Sequence, residues 1–126
     1  NFLRKAILDE PIEIWGTGEV IRDFIYISDV LEACKACMNY SGDHTVFNIG
    51  SSQGASLLQI IGYIEKILNK KVEIVFKEGR KQDVPANVLD ITLARRELNW
   101  RPEIELPHGI RLMFNSWSAS KHKFMI

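Results

Sequence analysis

One stretch limits the possible folds more than any other: residues 56–71, SLLQIIGYIEKILNKK. Leu57, Ile60, Ile61, Ile64, Ile67 and Leu68 recur at helical spacing and make a single apolar stripe. Ser56 and Gln59 have capping-box spacing at its start, and Lys70 and Lys71 stand at the negative end of the helix dipole. Runs of strand character lie on either side. TVFNIG (45–50) is continuously apolar, as expected of a strand buried on both faces, and VEIVF (72–76) follows the helix. Strand, helix and strand in succession point to an α/β fold.

The remainder keeps that alternation. FLRKAILDE (2–10) reads as the end of a helix stopped by Pro11, and IEIW (12–15) as a short strand followed by a turn at Gly16 and Gly18. RDFIYI (22–27) is rich in β-branched and aromatic residues and is expected to be a second strand. Ser28 or Asp29 then caps a helix to about Tyr40, with Asp29 and Glu32 at capping-box spacing. TLARRELNW (92–100) forms a short helix, and Leu106, Ile110, Met113, Phe114 and Trp117 mark a last one. Residues 1–117 thus read as one portion, and 118–126 as a tail without pattern, open to disorder.

At 126 residues, with 46% apolar and 25% charged side chains, the chain suffices for one domain with a real core. Sixteen basic and sixteen acidic residues cancel, which argues against a general nucleic-acid or membrane surface. No apolar run approaches the roughly 20 residues of a membrane span. The first residues, Asn1-Phe2-Leu3-Arg4, lack Met and already follow a helical pattern, so a piece of a longer protein is expected.

Several motifs invite a chemical reading and fall to a plainer one. Cys34-x-x-Cys37 has redox spacing but lies mid-helix, so both thiols are expected to be buried as small hydrophobes, reduced, in a cytoplasmic protein. Gly16-Thr17-Gly18 lacks a third glycine and leads into a strand, so a turn is expected rather than a dinucleotide loop. The loop Gly50–Gly54 precedes a helix and could hold a phosphate oxygen, although it has no P-loop lysine. His44, His108 and His122 show no zinc spacing. GRKQDVP (79–85) sets Arg80, Lys81 and Asp83 in a loop, and Arg22 opens an apolar strand; arginine forks suit phosphate oxygens.

IEIWGTGEVIRDFIYISDVLEA resembles the RDF motif region of the NAD-dependent nucleotide-sugar epimerases and dehydratases. These are the extended short-chain dehydrogenases of the UDP-glucose 4-epimerase type. VFNIGSSQGASLLQII and GRKQDVPANVLDITLARRELNWRP resemble two later motifs of the same family, in the right order. The likeness runs from Phe2 to about Trp117.

This resemblance implies the C-terminal, substrate-binding portion of such an enzyme, short strands alternating with helices, without the N-terminal Rossmann domain that binds NAD. Val30, His44 and Ile67 stand four residues after the three tyrosines, so no Tyr-x-x-x-Lys pair is present. Residues 45–70 would pack on the missing Rossmann sheet, with TVFNIG as its last strand. Arg22 and Arg80 match the family's diphosphate arginines, Asp83 the acid on the nucleotide ribose, and Trp15 the residue against the base. Asp23 is placed to orient Arg22 or the turn. Gln82 departs from the family's glycine before Asp83, which leaves Lys81 as an alternative to Arg80, and Asn99 replaces the glycine of a helix cap. The implied partner is a nucleotide sugar, and the implied whole enzyme a homodimer. A stand-alone RNA-binding module using the aromatics of RDFIYI is the alternative from a different class, disfavoured by the zero net charge.

Overall fold

The structure is a computed structural model that describes residues 1–79 and 84–123, the side chains of 120–123 excepted. Five helices and five strands appear among the described residues: α1 (Phe2–Ile7), β1 (Ile12–Trp15), β2 (Ile21–Asp23), α2 (Ile27–Met38), β3 (Gly54–Ser56), α3 (Leu57–Leu68), β4 (Ile74–Lys77), β5 (Ala86–Asn87), α4 (Thr92–Leu98) and α5 (Leu106–Lys123). The fold is α/β, as the alternation of periods requires. The elements divide into two compact units.

The first unit takes in α1, β1, α3, β4 and most of α5. β1 and β4 pair in parallel, with Ile12 opposite Ile74 and Ile14 opposite Phe76. Ile12 and Ile14 are buried with Leu3 and Ala6 of α1, Ile60, Ile61 and Ile64 of α3, and Ile110 of α5. The capping box of α3 forms completely: the Ser56 hydroxyl accepts from Gln59 N–H, and the Gln59 side chain accepts from Ser56 N–H. Gly16 and Gly18 make the expected turn, at φ 85° and 80°. The Gly18 carbonyl then accepts from Leu58 N–H, one of the orphan donors at the start of α3. A Cβ on Gly18 would lie 2.9 Å from the Leu58 side chain, so the turn docks on the helix as well as reversing the chain. α5 continues through Lys123, past the point where the apolar spacing stops.

The second unit centres on a three-stranded sheet in the order β3-β2-β5, with α2 and α4 beside it. β2 and β5 are parallel over two residue pairs, Ile21 opposite Ala86 and Arg22 opposite Asn87. Ala33, Ile91, Ala94 and Trp100 form the core, with Ile25, Phe47, Ile49 and Leu89 packed against it.

Three expectations fail here, each for a physical reason. β2 stops at Asp23 and α2 starts at Ile27, with Tyr26 extended at φ −79°, ψ 145° as its N-cap. The Asp29–Glu32 capping box does not form, because Asp29 is already inside the helix and buried, 5% exposed. Its carboxylate accepts from Ile104 N–H, and its carbonyl accepts the Trp100 indole N–H. TVFNIG is not a strand: no element among the described residues pairs with 45–49, and Val46 is 76% exposed.

The cysteines depart furthest from expectation. Both are exposed. α2 buries the face of Asp29 and Ala33, while the stripe Ile27, Leu31, Cys34 and Met38 lies on the opposite side of the cylinder, uncovered. The stripe is apolar and the buried face carries an aspartate, so hydropathy alone gives the wrong phase for this helix.

Candidate anion site at strand β2

Arg22 lies in the centre strand of the second unit, half-buried, in the residue pair with Asn87. Its Nη1 donates to the carbonyl of Ile21 at 2.7 Å and to that of Val84 at 2.8 Å. Both acceptors are main-chain, so the positive charge is steered without being neutralised. Among the described residues Nε and Nη2 make no hydrogen bond. A guanidinium with one nitrogen fixed and its remaining donors unspent is equipped to take an anion in fork geometry.

Asp23 does not pair with Arg22. Its carboxylate accepts from Ser51 N–H at 2.7 Å, the Ser51 hydroxyl, Ser52 N–H at 3.1 Å and Leu89 N–H at 3.2 Å. Direct orientation of Arg22, one of the roles read from its position, does not occur; the contacts go to the 51–52 segment and to Leu89, partners that position did not indicate. The loop Gly50–Gly54 therefore does hold an anion, but an internal one. Successive N–H groups converge on a carboxylate as they would on a phosphate. Sequence reasoning missed this role because its donors lie 28 and 66 residues away.

Trp15 ends β1 in the first unit, with 50% of its surface open. Arg80 and Asp83, with the alternative Lys81, lie outside the described residues. A depression of about 680 Å³ in the second unit is lined by Arg95 and Arg101 together with Asp29, Glu32 and Glu103. That mixture of signs supplies no field for a diphosphate, and Arg22 is not in its wall. Among the described residues no group of three or more His, Cys, Asp or Glu is placed to hold a metal ion, and no helix is long and apolar enough to cross a membrane.

Residues 1–50 match the family model described as NAD dependent epimerase/dehydratase family. The chain also superposes on the UDP-glucose 4-epimerase of Thermotoga maritima, solved with UDP-glucose, at a TM-score of 0.87 and 34% identity. The chain matches part of the members of the NAD dependent epimerase/dehydratase family. That superposition covers 94% of this chain and 38% of the other. A second solved family member, the UDP-glucuronic acid 4-epimerase of Bacillus cereus with UDP-glucuronic acid and NAD, matches at TM-score 0.86 and 27% identity, again over 94% and 38%. A curated relative, the dTDP-4-dehydro-6-deoxyglucose reductase of Escherichia coli, is 41% identical over 115 residues, which is 91% of this chain and 36% of the relative. The chain thus spans little more than a third of these relatives' length. Its relatives in the family include epimerases, decarboxylases and reductases.

Proposed function

We propose that the chain is the nucleotide-sugar-binding portion of an NAD-dependent 4-epimerase acting on UDP-glucose/UDP-galactose or an N-acetyl analogue, with Arg22 gripping the diphosphate. The observation that carries this reading is the state of Arg22: held at one nitrogen by two carbonyls, uncompensated in charge, its other donors free among the described residues. Arg80 is the proposed second grip, Asp83 the ribose contact and Trp15 the surface for the base. In the whole enzyme NAD, held outside these residues, would supply hydride chemistry at the sugar.

What the chain itself contributes is anchorage. Binding energy from the non-reacting diphosphate holds the nucleotide while the sugar is free to turn over. In this reading residues 45–70 pack on the missing Rossmann sheet. Segment 45–49, unpaired among the described residues, and the exposure of Val46 support it. The whole enzyme is then a cytoplasmic homodimer, and the isolated chain has no epimerase activity. Calorimetric titration with UDP and with uridine tests the anchor. UDP should bind more tightly than uridine, and Arg22→Ala should remove most of the difference; equal affinities in the unaltered chain would refute it.

A second reading, a nucleotide-sugar reductase, is favoured by one observation, the 41% identity to the Escherichia coli reductase. Preference for dTDP over UDP in the same titration would select it.

A further inference from the structure

β2 and β5 share only two residue pairs, too short a ladder to keep its own register. Two adjacent side chains close its ends. Arg22 bonds the carbonyl of Val84, two residues before β5, and Asp23 accepts from the N–H of Leu89, two residues after it. The same Asp23 carboxylate holds Ser51 and Ser52, with Ser52 left-handed at φ 60°. Three N–H groups and a hydroxyl leave that carboxylate no capacity to bind a ligand.

Gly50 makes the seat possible. Its φ is not in the left-handed region, yet a Cβ there would lie 2.7 Å from Asp23 Oδ2 and 3.1 Å from Leu89 Cβ. Glycine stands at 50 for room, and the room is filled by the Asp23 carboxylate.

We propose that Asp23 is a positioning residue for Arg22: seated in the nest of Ser51 and Ser52, it fixes β5 against β2 and so fixes the Val84 carbonyl that aims the guanidinium. This rests on the reading of Arg22 as the diphosphate anchor. A guanidinium aimed beforehand loses less freedom on binding than one that must be ordered by the ligand.

The test is a double-mutant cycle on the full 126-residue chain, with UDP and uridine as probes and affinity read by NMR titration. Asp23→Asn should weaken UDP binding by about tenfold, leave uridine unchanged, and cause no further loss in the Arg22→Ala background. Gly50→Ala, which keeps the charge but displaces the carboxylate, should give the same coupled loss and covers the case in which Asp23→Asn fails to fold. Equal losses for UDP and uridine, an undiminished loss without Arg22, or no loss at all would overturn the proposal. If the unaltered chain shows no preference for UDP over uridine, the anchor reading itself has failed, and the inference falls with it.

Discussion

The indole N–H of Trp100 donates to the main-chain carbonyl of Asp29 at 3.0 Å, a buried bond joining residues 71 positions apart. Asp29 also takes Ile104 N–H on its carboxylate at 3.0 Å, so one residue of α2 fixes both the core tryptophan and the segment after it.

Trp100→Phe keeps an aromatic ring but removes the donor and the pyrrole half of the indole. It should lower the unfolding free energy by about 1–3 kcal/mol, through the lost hydrogen bond and the space left in the core. Urea denaturation measures this, and an unchanged midpoint would show that the bond contributes nothing.

Asn99 ends α4 left-handed at φ 47°, ψ 37°. Replacement by glycine, which adopts that conformation without a Cβ penalty, should be neutral or slightly stabilising. Replacement by valine should cost about 1–2 kcal/mol. Thermal melts of the two variants should therefore move apart, and coincident melts would count against the cap.

Cys34 and Cys37 are both exposed, so two thiols per chain should react with a colorimetric disulfide reagent under native conditions, at rates little changed by denaturant. Protection of either thiol in the native 126-residue chain would contradict the orientation of α2.

The Glu65 carboxyl lies below its ordinary pKa of 4.5, held there first by the hydrogen bond from Lys71 and then by Val72 N–H. A carboxyl whose folded pKa is depressed stabilises the fold above its unfolded value and loses that stabilisation as pH falls through the folded one. Stability should decline below pH 4.5 more steeply in the unaltered chain than in Glu65→Gln. The difference should be small, because Lys71 is 91% exposed and the pair is screened by water. Melts at successive pH values give the comparison, and identical slopes would remove Glu65 from the account.

What the sequence made legible was local. The capping box of α3 and the left-handed cap at Asn99 depend on side chains within a few residues of the backbone they serve, and both formed as read. The failures were long-range. RDFIYI has strand propensity throughout, but pairing stops at Asp23 and Ile27 already belongs to a helix held in place by Asp29 meeting residues 100 and 104. The burial expected of Cys34 and Cys37 failed for the same reason: the inward face of α2 is the one that carries Ala33 and a satisfied aspartate, and the thiols lie off it. Arg22 could be named from its motif, whereas the donors that seat Asp23 come from segments no local pattern joins.

The most direct measurement is ³¹P NMR of UDP titrated with the chain. The account predicts that both phosphorus resonances shift on addition of the unaltered protein and shift far less when Arg22→Ala is used in its place. Resonances that move equally with both proteins, or with neither, would contradict a diphosphate held by Arg22.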